Sequence, residues 1–141
     1  MLTAAAVVVC ALDLLGRSGS TAPIKFLDTP PITVSRNAEG FVTRNPDTIY
    51  LITSTTAFET ARRGFGERGV RDACRHLAGV IVHEEWHLRH GGDEESAYLA
   101  QLTALTALGA DSGTLSAVRR SMQFVVDREK ARRSKLLLAS R

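Results

Sequence analysis

The run Leu77-Ala78-Gly79-Val80-Ile81-Val82 passes directly into His83-Glu84-Glu85-Trp86-His87 and stops at Gly91-Gly92, and no other segment constrains the chain as much. Val70, Ala73, Cys74, Leu77, Val80 and Ile81 recur at helical spacing, which predicts one long helix from about Gly69 to His90. A helix this apolar has to be buried. The polar cluster at its end therefore projects from a core element, and the domain has to be built around it.

Residues four apart on a helix lie on the same face one turn apart, so the imidazoles of His83 and His87 can hold one tetrahedral zinc ion. Glu84 then sits beside them as a candidate general base for hydrolysis. The competing reading, a charged run on a solvated helix face, is disfavoured by the apolar lead-in. His76 and His90 fall on the same face, but His83 and His90 are seven residues apart, roughly 10.5 Å along the axis. That is too far for one ion. His90 is expected to be a polar helix end or a substrate contact, and His76 a satisfied core histidine.

A third ligand must come from another element. Gly91-Gly92 reverses the chain and brings Asp93, Glu94 and Glu95 back past His87. Successive helix residues are about 100° apart, so the three cannot face one ion equally. Asp93 is expected to cap the next helix. Glu94 is favoured as the ligand because it lies one turn before Ala97 and Tyr98, on the face expected to point inward.

The rest of the chain supplies an α+β frame. The apolar Leu2 to Leu15 reads as an N-terminal helix; a cleaved export signal with Ser18 and Ser20 near the cut is the alternative. Gly16 to Thr21 is a turn and Ile24 to Leu27 a short strand ended by Pro30-Pro31. Ile32 to Ser35 and Phe41 to Arg44 are weaker strand candidates around an Asn37 to Gly40 turn. Thr48 to Thr53 is the clearest strand. Thr55 to Arg63 reads as a short helix, and two more helices follow the long one, the first carrying Leu102, Leu105 and Leu108, the second Leu115, Val118, Met122, Val125 and Val126.

With 141 residues and 44% apolar content, residues 1–141 are expected to form one domain. Cys10 and Cys74 match no metal or disulfide spacing and are expected to be buried free thiols. Arg119, Arg120, Arg128, Lys130, Arg132, Arg133, Lys135 and Arg141 read as a solvated helix face, not a nucleic-acid surface. The apolar N-terminal stretch is too short to span a bilayer. A cytoplasmic location is expected, with secretion the alternative if that stretch is an export signal.

The segment from Gly40 to Gln101 resembles the zincin metallopeptidases, and among them the gluzincins. His83-Glu84-Glu85-Trp86-His87 matches their HExxH motif, and Glu94-Glu95-Ser96-Ala97-Tyr98 looks like the ExxA(D/N/Y) pattern whose first glutamate is the third ligand. The spacer between His87 and Glu94 is shorter than in the best-known gluzincins. Asp93 stands at the last position of the metzincin pattern HExxHxxGxxH/D, but His90 replaces its glycine.

The resemblance implies a minimal zincin-like domain binding zinc through His83, His87 and Glu94. It also implies a peptidase in which Glu84 is catalytic and Tyr98, Arg89 or His90 touch the substrate. Gly40-Phe41 and Ile49-Tyr50-Leu51 look like the strands beside which an extended peptide or protein substrate pairs. A zincin fold used as a regulatory or binding module, with a protein partner, is the alternative, and a purely structural metal is opposed by the intact Glu84.

Overall fold

The computed structural model describes residues 1–140, so Arg141 lies outside the described residues. The chain begins with α1 (Ala4–Leu14), whose first turn is capped by the Thr3 hydroxyl accepting from the Ala6 N–H at 3.1 Å. Val7, Ala11 and Leu12 of α1 are buried in the main core. The apolar stretch at the N-terminus is thus an integral core helix.

Three short strands follow, β1 (Ile24–Leu27), β2 (Gly40–Thr43) and β3 (Thr48–Ile52). Their order is β1-β3-β2, with β1 parallel and β2 antiparallel to β3. β3 is the central strand, which explains why Thr48, Ile49, Leu51 and Ile52 are all buried. Tyr50 instead stacks on Phe41 across the antiparallel pair, ring centroids 4.8 Å apart.

Two strand expectations need correction. Residues 32–35 form no strand: the Val34 N–H donates to the Pro31 carbonyl at 2.9 Å and the Ala38 N–H to that of Ser35 at 3.0 Å. Successive turns after the proline pair thus use the backbone groups a strand would need, and Ile32 is fully exposed. β2 runs one residue earlier than expected, starting at Gly40 and ending before Arg44.

The helices are α2 (Thr56–Arg62), α3 (Val70–His90), α4 (Glu94–Ala107) and α5 (Ser112–Ala139). α3 is the axis of the domain, packed against α1, α2, α4 and β2. Ile49, Leu51, Phe58, Leu77 and Ile81 form the centre of the core with α1. α4 approaches α3 so closely at Gly79 that a Cβ there would lie 2.9 Å from Leu105 Cγ and 3.2 Å from Gln101 Cγ. Leu102, Leu105 and Val118 make a smaller cluster that attaches α5 to α4.

The expectation of free thiols is overturned. Cys10 of α1 and Cys74 of α3 are joined in a disulfide, their Cα atoms 5.9 Å apart. The two positions face each other where the helices pack, a proximity that 64 residues of separation conceals. In the chain-entropy model a link across a loop of that length removes about 4 kcal/mol of unfolded-state freedom. No helix among the described residues is long and apolar enough to cross a membrane.

Candidate metal centre

α3 carries the first part of the site. Its last two turns place His83, Glu84 and His87 in buried positions, with 7%, 6% and 8% of their surface exposed. Polar groups this deep in a core need partners. His83 Nδ1 is 2.9 Å from Gln101 Oε1, and His87 Nδ1 is 2.8 Å from the Gly91 carbonyl. Both acceptors are carbonyl oxygens, so both rings donate through Nδ1–H and turn Nε2 toward each other.

Gly91 makes the second contact. Its φ of 106° is open to glycine, and this lets the chain leave α3 while its carbonyl returns to the His87 ring. The guanidinium of Arg44, just past β2, donates to the carbonyls of His87 at 2.7 Å and Leu88 at 3.3 Å. It satisfies two carbonyls at the helix end and places a positive charge where the helix dipole favours one.

The turn through Gly92 and Asp93 then brings Glu94, the first residue of α4, back over the imidazoles. Its Oε1 is 2.6 Å from His87 Nε2 and its Oε2 3.4 Å from His83 Nε2. The two Nε2 atoms are 3.2 Å apart. Nitrogens each about 2.0–2.1 Å from a tetrahedral zinc would be separated by roughly 3.3 Å. His83, His87 and Glu94 each offer one donor atom, all within 4.8 Å of one another. The donor set is two imidazoles and a carboxylate, which suits zinc in atom type and in the spacing of the two nitrogens, whereas the 2.6 Å Glu94–His87 contact is a hydrogen bond that would have to open by several tenths of an ångström to admit an ion.

The electrostatics favour a cation at this point. Burial works against a charged His87, but its bonds to Glu94 and Gly91 and the charges of Glu94 and Glu84 prevail and raise its pKa to about 9. Burial likewise opposes the Glu94 carboxylate, yet His83 and His87 hold it down at about 2. Glu84 is pushed up by burial, pulled down by the two histidines and raised again by Glu94, reaching about 7. Gly40 of β2 packs over it, an added Cβ there lying 3.4 Å from Glu84 Cγ.

The other expected residues sort clearly. Asp93 stands at the N-cap of α4, but its exposed carboxylate accepts from the Ser96 hydroxyl instead of a backbone N–H. Glu95 is exposed as well. Neither joins the cluster. Arg89 and His90 are exposed, and His90 lies against Trp86 with ring centroids 5.0 Å apart. Tyr98 does reach the site, its ring edge-on to His83 at 4.6 Å between centroids. Burial, then the charges of Glu94, Glu39 and Glu84, push its pKa to about 12, which keeps the hydroxyl protonated.

His76 is half-buried, and its Nε2 pairs with both carboxylate oxygens of Glu39 at 2.7 and 2.9 Å. Burial depresses its pKa, but the Glu39 bond and charge outweigh this and leave it raised.

Sequence reasoning missed three participants. Gln101, 4% exposed, orients His83; its signal was its place two turns after Glu94 on the same face of α4. Glu85 turns away from the His83, His87 and Glu94 cluster, and its Oε2 accepts from Arg17 at 2.7 Å and from the Thr21 N–H and hydroxyl at 3.0 and 2.8 Å. This ties the loop after α1 to the site helix. α5 walls a cleft of about 890 Å³ whose other sides include Gly40, Phe41, Glu84, Glu94 and Tyr98. No protein-family model, curated protein or solved structure matches this chain.

Proposed function

We propose that this chain is a zinc-dependent hydrolase of the zincin type, a metallopeptidase with His83, His87 and Glu94 as metal ligands and Glu84 as general base. The observation that carries the reading is the convergence of the two Nε2 atoms and the Glu94 carboxylate, with the buried Glu84 beside them. A structural metal needs ligands alone. A buried carboxyl next to the ligands suits proton transfer.

Zinc bound there would polarise a scissile carbonyl and lower the pKa of water toward about 7. The chain's own residues supply the rest. Glu84 accepts a proton from the attacking water and passes it to the departing amine nitrogen. Tyr98, a neutral phenol facing the cleft, donates a hydrogen bond to the substrate. Gln101 and the Gly91 carbonyl keep both imidazoles turned inward. β2 pairs with β3 on one side only, so its other edge is free, and Gly40, Phe41 and Val42 line the cleft. An extended peptide can add to that edge through main-chain hydrogen bonds.

Elemental analysis of protein purified without added metal, combined with a peptide-library digest, tests the reading. Zinc near one per chain is expected, with cleavage by the wild type and a loss of about 10²-fold or more in Glu84→Gln at unchanged zinc content. An unaltered rate in Glu84→Gln removes it from the mechanism. Absence of zinc removes the site.

A further inference from the structure

Ala117, Arg120, Ser121, Phe124, Val125 and Arg128 of α5 all line the cleft. Their spacing of three and four residues is that of one helix face, so this side of α5 looks onto the site as a continuous wall. Two of the six are arginines. Within α5, the positions three and four residues from Arg120 are Ser116, Ala117, Gln123 and Phe124, and those around Arg128 are Phe124, Val125, Ala131 and Arg132. None is a carboxylate, and neither guanidinium forms an ion pair among the described residues.

Of the three acids on the opposite walls, Glu39 pairs with His76 and Glu94 with His83 and His87, and the third, Glu84, is buried beside the histidines. Opposite an edge strand suited to an extended chain, the cleft therefore presents two uncommitted guanidiniums with the exposed Phe124 between them.

We propose that Arg120 and Arg128 make the cleft selective for peptides bearing acidic side chains next to the bond held at the metal centre. This rests on the peptidase reading for the word peptide, but the charge recognition belongs to α5. Guanidinium forks pair with carboxylates through two parallel N–H bonds, and a positive wall in a cleft also gathers anionic substrate before contact. The occupant argued for is an acidic peptide, since the free strand edge offers main-chain pairing that a nucleic acid cannot use.

The test uses fluorescein-labelled hexapeptides identical except for Glu, Gln or Lys at two positions, their binding to zinc-loaded Glu84→Gln protein read by anisotropy in low salt. Exposed ion pairs contribute about two- to fivefold each, so the Glu peptide should bind about tenfold tighter than the Gln peptide and the Lys peptide most weakly. Adding Arg120→Gln and Arg128→Gln should abolish the preference. Arg119→Gln with Arg133→Gln, exposed residues outside the cleft lining, should leave it intact.

Equal affinity for the Glu and Gln peptides, or equal loss in the control pair, overturns the proposal. So does an oligothymidylate that binds more tightly than the Glu peptide through the same two arginines. Hydrolysis by the otherwise wild-type protein separates the two readings. Arginine-dependent binding of the Glu peptide without cleavage of any peptide upholds the recognition and sinks the peptidase. Cleavage of all three peptides with equal kcat/KM does the reverse.

Discussion

Replacing Gln101 with Leu removes the acceptor of His83 Nδ1–H at nearly constant volume in a site that is 4% exposed. Nothing then fixes the proton on Nδ1, and the ring can place it on Nε2, the atom that would face the proposed metal. An unsatisfied buried N–H costs about 1–3 kcal/mol. Loss of a group that orients a metal ligand lowers affinity by about 10–100-fold, equivalent to about 1.4–2.7 kcal/mol, and the two ranges agree. Gln101→Glu keeps an acceptor oxygen and strengthens it, so that variant should bind zinc at least as tightly as the wild type. Competition with a chromogenic chelator at neutral pH measures both, and thermal unfolding checks that each variant is folded. A Leu variant with wild-type affinity, or a Glu variant as weak as the Leu variant, would refute the orienting role.

Glu94→Gln should weaken zinc binding by at least about tenfold through loss of an anionic ligand. Asp93→Asn and Glu95→Gln should change it little, because both side chains are exposed and outside the cluster. The same chelator titration decides, and a larger loss at Asp93 would move ligation there. Gly79→Ala should lower stability by about 1 kcal/mol and Tm by about 3 °C, since crowding of Leu105 and Gln101 at about 1–3 kcal/mol exceeds the helix-propensity gain of about 1 kcal/mol. A rise in Tm would show that α4 gives way.

Glu85 supplies the pH test: burial raises its pKa, but the bonds from Arg17 and Thr21 prevail and hold it below the ordinary 4.5. A depressed carboxylate stabilises the fold above its unfolded pKa and loses that contribution as pH falls through the folded value. Wild type should therefore lose more stability than Glu85→Gln between about pH 6 and about pH 3 in urea unfolding. Glu94, depressed in both proteins, cancels from the comparison. Equal losses reject the role of Glu85.

The parts of the fold and site that sequence made legible are those governed by local periodicity. The run into His83, its stop at Gly91-Gly92 and the return at Glu94 all lie in one stretch where helical spacing, a glycine break and an inward-facing residue are visible without the rest of the chain. Contacts between distant segments were hidden. Cys10 and Cys74 meet because α1 crosses α3, and Glu85 meets Arg17 and Thr21 for the same reason. Residues 32–35 had the composition of a strand, but the preceding prolines set up turns that closed on themselves. α5 read as a solvated basic helix, and most of it is; which of its arginines look onto the cleft depended on how Val118 docks it against α4.

The three candidate metal ligands fall within twelve consecutive positions, two on one helix and the third after six intervening residues. Closing so short a loop costs little entropy, and contacts of this range form early. The surroundings of Glu84 are different, because they depend on Gly40, more than forty positions earlier, arriving with the sheet. The helical hairpin that gathers His83, His87 and Glu94 can therefore form before the sheet that covers Glu84, and on the proposed reading zinc uptake should run ahead of hydrolysis during refolding. Simultaneous recovery of the two would mean that the hairpin has no structure of its own before the sheet docks.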